Sequence, residues 1–256
     1  MKVIANMMAR GTGSTLKRKN AYPILGKPML WWSLTEAKKA DFIDEIFVWT
    51  EDEELAQITR DCGCKVIPRS KDQVFLHGGF SNPREWSSYI NAYITSQCGT
   101  SGDVQVRLNC NYCLMTAEIL ERMYVRLMED RMADSIVAVS RVDPHLYMEN
   151  PKTGRLFPIW QCDGMDRQEY PDLFRASGIV LVHDRREVSH ATTVRLYQEM
   201  APEFLLDVDS LEDVRLAEYY LMQRLGGAIT LPEDAYERQA QRPGGGGKVQ
   251  PLRARG

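Results

Sequence analysis

Arg10-Gly11-Thr12-Gly13-Ser14-Thr15-Leu16-Lys17-Arg18-Lys19-Asn20 follows an apolar run, Val3 to Met8, that reads as a first buried strand. The stretch carries four cationic side chains and two glycines in eleven residues, then gives way to Tyr22-Pro23-Ile24-Leu25-Gly26-Lys27-Pro28. A loop of this make-up, leaving the carboxyl end of a strand, suits a polyanion. Glycine lets main-chain N–H groups come close, and Arg and Lys supply charge. The same composition also fits a solvated basic turn. Two well-known phosphate loops fit poorly. The dinucleotide fingerprint requires a third glycine where Leu16 stands, and an acidic residue about twenty positions on. A P-loop closes on Gly-Lys-Ser/Thr, whereas this run closes on Lys19-Asn20.

Working outward, Pro28 suits the first turn of a helix running to about Ala40, with Met29, Trp32, Leu34 and Ala37 mostly on one face. Ile43 to Thr50 reads as a second strand. Glu51-Asp52-Glu53-Glu54 then places carboxylates on the first turn of a helix, where the dipole favours them, and reads as a solvated helix start. Lys65 to Pro68 is a third strand. This β–α–β–α–β rhythm predicts a parallel sheet with covering helices, and Arg69 stands at a strand end where ligands of such sheets collect. Residues 70 to 86 are irregular, either a substrate-proximal cover or a plain connection. His77 there has no legible nucleophile or acid partner.

A helix through about Ile94 precedes a fourth strand, Asp103 to Leu108, and Thr116 caps the helix after it. Asp134 to Val142 alternates as a strand should. A hairpin turning at Asn150-Pro151-Lys152-Thr153-Gly154-Arg155 carries Tyr147, Phe157, Ile159 and Trp160, too much apolar area for an isolated arm. Burial on a second subunit or folding down as a local lid would each resolve this. Gly178 to His183 is a further buried strand. Phe204 to Asp213 reads as a strand with Asp207 and Asp209 on one side, then a helix capped by Ser210 with Asp213 completing the cap. From residue 228 the chain is rich in Gly, Pro and Arg and is expected to be a flexible tail.

The chain has 256 residues, is 44% hydrophobic and 26% charged, and carries a formal charge of −3. These values predict one large globular domain over residues 1–227 and argue against general nucleic-acid binding. No apolar run reaches a membrane span and no signal-peptide core is visible, so a cytoplasmic protein is the expectation. Six cysteines include the close pairs Cys62/Cys64 and Cys110/Cys113, whose apolar surroundings suit reduced thiols better than zinc.

Ala9-Arg10-Gly11, Leu16, Lys19-Asn20 and Leu25-Gly26-Lys27-Pro28-Met29-Leu30 together resemble the opening of the acylneuraminate cytidylyltransferase family. Relatives of that family include the 3-deoxy-octulosonate cytidylyltransferases and the spore-coat polysaccharide synthesis proteins, and Gly13-Ser14-Thr15 is similar to the latter branch. Leu108, Leu114, Thr116, Ala117 and Glu118 keep the family's second nucleotide-side segment. Asn109 there replaces a glutamine, Cys110 a proline and Met115 an arginine. Arg167-Gln168, Arg175 and Ser177-Gly178 match later motifs. Ser14 stands where the family usually has lysine, and Lys17 where it has proline.

The resemblance implies a Rossmann-like, three-layer α/β fold of the nucleotide-diphosphosugar transferase type, with a dimerising hairpin arm at about residues 144–170. It implies transfer of CMP from CTP to an acidic sugar, with release of pyrophosphate. Phosphonate or other non-sialic acceptors, another triphosphate and a non-catalytic nucleotide-binding protein stay open. Arg10, Lys19, Asp207 and Asp209 are the implied catalytic set, with the two aspartates holding Mg²⁺. Gly11, Thr12, Gly13, Ser14, Asn20, Arg69 and Asn109 would bind the nucleotide, and Arg167, Gln168 and Arg175 a small anionic acceptor.

Overall fold

The computed structural model describes residues 1–12, 16–69, 83–143, 145–159, 170–183 and 194–226. In chain order, β1 (Val3–Met8) leads through a 3-10 turn at Lys19–Ala21 to a small hairpin of β2 (Pro23–Ile24) and β3 (Lys27–Pro28). Then come α1 (Met29–Lys39), β4 (Glu45–Thr50), α2 (Glu53–Asp61), β5 (Lys65–Pro68), α3 (Pro83–Cys98), β6 (Val104–Asn109) and α4 (Ala117–Glu129). The rest comprises β7 (Ser135–Val142), β8 (Tyr147–Glu149), β9 (Leu156–Pro158), β10 (Leu173–His183), β11 (Arg195–Glu199), a 3-10 turn at Pro202–Leu205 and α5 (Leu211–Arg224).

Seven strands form one sheet in the order β11-β7-β10-β6-β1-β4-β5. The β1–β4, β1–β6, β4–β5 and β7–β11 pairs are parallel, and β10 runs antiparallel to both β6 and β7. Alternation along the central strands sorts side chains into two apolar layers. Val3, Ala5, Met7, Ile46 and Val48 pack with residues of α1, α2 and α4, while Ile4, Phe47, Trp49 and Ile67 pack with Ile94 of α3. Helices therefore cover both faces, the three-layer α/β arrangement expected from the sequence.

The chain order matters for the site. From β1 it steps outward to β4 and β5, then returns to lay β6 on the other side of β1. The carboxyl ends of β1 and β6 thus flank the point where strand order reverses, where open α/β sheets form a ligand crevice. The cationic stretch leaves one of these strands, and Asn109-Cys110-Asn111-Tyr112 leaves the other.

Two features differ from the sequence reading. Phe204 to Asp209 is not a strand. Pro202 begins a 3-10 turn through Leu205, and residues 206–209 run irregularly before α5. Their backbone joins no sheet, although the Val208 N–H donates to the Asn111 carbonyl at 3.1 Å, and Val208 is fully buried. The edge strand β11, with alternating half-buried and exposed side chains, was not anticipated. The predicted β10 was also too short: it extends back to Leu173, across a register shift between Ala176 and Val180. The tail from residue 227 lies outside the described residues, as do His77 and Trp160.

Candidate active site

The cationic turn is held against the end of β4 by two consecutive carboxylates. The Gly11 N–H donates to Glu51 Oε1 at 2.7 Å, and the Arg18 guanidinium grips both oxygens of Asp52 at 3.0 and 3.2 Å. Arg18 also reaches Glu54 at 2.5 Å. A side chain at Gly11 would collide with the Asp52 carboxylate, so this position requires glycine. Asp52 meanwhile caps α2, accepting the Leu55 N–H at 3.1 Å. Burial pushes its carboxyl up, but the Arg18 and backbone hydrogen bonds outweigh burial and hold it below its ordinary value. The acidic run read as a solvated helix start is therefore partly a built support for the loop.

Asn20 is buried and taken up internally. Its Nδ2 donates to the Arg10 carbonyl at 2.8 Å, and its Oδ1 accepts from the Cys110 thiol at 2.8 Å. Asn20, expected to contact the nucleotide, thus braces the ends of β1 and β6. Gly11, likewise expected to offer its N–H to phosphate, gives it to Glu51. Arg69, expected to touch nucleotide, has a side chain only 2% exposed; it lies over the Trp49 ring at 4.4 Å and faces Glu51 at 3.9 Å. Burial pulls its guanidinium value down, with Glu51 opposing and Arg10 reinforcing that shift.

The two distant ends of the chain meet here. Lys19 Nζ pairs with Asp209, and Asn111 Nδ2 donates to Asp207. Val208 is buried between the two aspartates, which are both half-buried. Burial raises the Tyr112 phenol, and Asp207 and Asp209 raise it further while Arg175 opposes them. Asp213 fixes Asp209 from behind: its Oδ2 accepts the N–H of Asp209 at 3.1 Å and of Ser210 at 2.8 Å in a full capping box on α5.

The Arg175 guanidinium donates to the Leu205 carbonyl at 3.1 Å, and the Asn109 amide fills the space a side chain at Gly178 would need. Met115, in the place of a family arginine, is buried in the main core and offers no cation. Arg10 and Thr12 lie on the loop's near flank. Gly13, Ser14, Arg167 and Gln168 lie outside the described residues. Cys62, Cys64, Cys98, Cys110 and Cys113 are free thiols. Sequence reasoning missed Glu51, Asp52, Arg18, Asn111 and Tyr112. The pairing of a basic turn with an acidic helix start was the available signal for the first three; nothing in the sequence pointed to the last two.

A cationic loop and a carboxylate pair thus meet beside a strand-order reversal in a three-layer α/β fold. The sequence pattern of the family described as Cytidylyltransferase matches residues 5–73. The N-acylneuraminate cytidylyltransferase of Streptococcus agalactiae serotype III is 26% identical over 230 residues, which is 83% of this chain and 52% of that protein. This chain therefore spans about half the length of that relative. The 3-deoxy-manno-octulosonate cytidylyltransferase of Pelodictyon phaeoclathratiforme is 22% identical over 85% of each chain. Among solved structures, a CMP:2-keto-3-deoxy-manno-octonic acid synthetase complexed with CTP aligns at a TM-score of 0.62 and 14% identity, covering 88% of this chain and all of that one. The chain is thus similar to CMP-sugar acid cytidylyltransferases, over its first strands by the family pattern and over most of its length by these relatives.

Proposed function

We propose that the protein transfers CMP from CTP to an oxygen of an acidic sugar such as a nonulosonate, releasing pyrophosphate. The observation that carries this reading is the Lys19–Asp209 contact, which joins the cationic turn to the carboxylate pair at the crevice between β1 and β6. The names of the relatives, including the pseudaminic acid cytidylyltransferase of Campylobacter jejuni, which matches only 65 residues, support an acid sugar as acceptor.

Asp207 and Asp209 fit Mg²⁺. They offer hard carboxylate oxygens, and each already draws a positively polarised partner, Asn111 Nδ2 and Lys19 Nζ respectively. Mg²⁺ takes one or two protein carboxylates and completes its shell with phosphate and water, so no third ligand is needed. When bound, the ion would neutralise charge on the attacked phosphate. Arg10 and Lys19 would neutralise the remaining phosphate charge, and Lys17 is the exposed cation nearest in sequence to the place of the family lysine replaced by Ser14. Asp213 and the α5 cap keep Asp209 oriented without rearrangement. Arg175, with Arg167 and Gln168, would hold the acceptor's anionic group. The acceptor oxygen forms its bond to the α-phosphorus as the bond to the pyrophosphate oxygen breaks.

The β8–β9 hairpin supports a homodimer. It leaves Tyr147, Met148, Leu156, Phe157 and Ile159 between 46% and 65% exposed, on a two-stranded pair that is marginal alone. Among the described residues no helix is long and apolar enough to cross a membrane.

A second reading, a nucleotide-binding protein without catalysis, is favoured by Ser14 and by the buried Met115 where the family has cations. Pyrophosphate release from CTP and Mg²⁺ with a panel of acid sugars and phosphonates separates the two. Release with at least one acceptor is expected. CTP binding with no release across the panel favours the second reading.

A further inference from the structure

The cationic turn has an odd feature for a polyanion site: three carboxylates, Glu51, Asp52 and Glu54, crowd its base. On charge alone they would repel a triphosphate, since like charges at close range cost free energy. Their geometry gives them another task. The two described flanks of the turn are tied to consecutive residues at the end of β4, Gly11 to Glu51 and Arg18 to Asp52. Arg18 sits at φ 53° and ψ 39°, a left-handed conformation that residues other than glycine adopt rarely. The forked contact with Asp52 holds its side chain while the backbone keeps that shape. Asp52 is itself held on two sides: it caps α2 and abuts Gly11.

This arrangement divides the loop's cations. Arg18 is occupied by Asp52 and Glu54, while Lys19 links the turn to the carboxylate pair through Asp209 and keeps its own place there. Arg10 and Lys17 are exposed and make no ion pair among the described residues. We infer that Asp52 and Arg18 are a positioning pair, which sets the turn so that Arg10 and Lys17 present their charge to the triphosphate. The inference rests on the cytidylyltransferase reading and deepens it. Arg18 acts through the loop and does not itself touch the nucleotide.

The pair makes a prediction opposite in sign to simple electrostatics. Asn caps a helix as well as Asp does, so Asp52→Asn keeps α2 while removing the charged half of the fork. CTP affinity is measured by calorimetry with Mg²⁺ at fixed salt for wild type, Asp52→Asn, Arg18→Gln and the double variant. Melting temperatures and the KM values for CTP and acceptor accompany it. The expected result is a loss of CTP affinity of about tenfold to a hundredfold in each single variant, as for a misplaced binding group. The double variant should be no worse than the weaker single one, because both break the same contact. Acceptor KM and melting temperature should stay close to wild type. Wild-type or tighter CTP binding by Asp52→Asn overturns the pair, as does simple addition of the two losses. Absence of CTP binding by wild type overturns the cytidylyltransferase reading and the pair with it.

Discussion

The turn at the end of β1 and the hairpin of β8 and β9 handle their side chains in opposite ways. At the turn, the Gly11 N–H, Arg18, Lys19 and Asn20 each have a named partner within the chain, drawn from the ends of β4 and β6 and the segment before α5. At the hairpin, every residue of both strands is exposed, and large apolar side chains face outward. The first region is completed by its own chain; the second has a surface that another surface would complete. The proposed activity would divide the same way, with charge handling for the nucleotide inside one subunit and assembly at the arm.

The largest expected effect breaks the first region at its chemical centre. Lys19→Met removes the cation that joins the turn to Asp209, and kcat/KM for CTP should fall by about 10²–10³-fold, the usual cost of losing one preorganised charge-stabilising donor. Steady-state pyrophosphate release reads this directly, and a loss under threefold would detach Lys19 from the chemistry. Next is Gly11→Ala. The added methyl meets the Asp52 carboxylate, and such overpacking costs about 1–3 kcal/mol, read as a lowered melting temperature together with weaker CTP binding. An unperturbed Gly11→Ala protein would show that the support at the end of β4 is not tight.

The second region is tested by Phe157→Asp, which places charge among the exposed apolar side chains of the hairpin. Sedimentation should show dimers for wild type and monomers for the variant, each variant chain still binding CTP. Dimers of unchanged stability in the variant would move the interface elsewhere. The smallest effect concerns pH. Burial raises the thiol of Cys110 to about 11 and those of Cys64 and Cys113 to about 12, from an ordinary 9.0. The folded chain therefore holds these protons more tightly than the unfolded one. Stability from this source is complete below pH 9 and is lost as pH rises from there towards the raised values. Melting temperature should decline across that window, and a flat profile would contradict the burial of these thiols.

How far the sequence revealed this division depends on locality. The parallel core was legible because β1, β4, β5 and their helices follow one another with clear periodicity, and the observed Lys65–Pro68 strand matches its expected bounds. The meeting of Lys19 with Asp209 was accessible only through the resemblance, since no local pattern links residues so far apart. The strand expected at Phe204–Asp209 failed because Pro202 favours a tight turn, and because alternation survives in irregular chain when one residue, here Val208, is buried. The resemblance implies Asn20 as a ligand, and Arg69 stands as one by its strand-end position as well. Both side chains are buried, where each meets a polar or charged partner, and burial of a single polar side chain is not written in local sequence.

The central claim is that the turn near the amino terminus and the carboxylates at 207 and 209 close on one metal-bound triphosphate. Thermal-shift titration of CTP with and without Mg²⁺, in wild type, Asp207→Ala and Asp209→Ala, tests it most directly. The account predicts a Mg²⁺-dependent rise in melting temperature with CTP for wild type, larger than with the other triphosphates, and its disappearance in both variants. Equal shifts in all three proteins would contradict it.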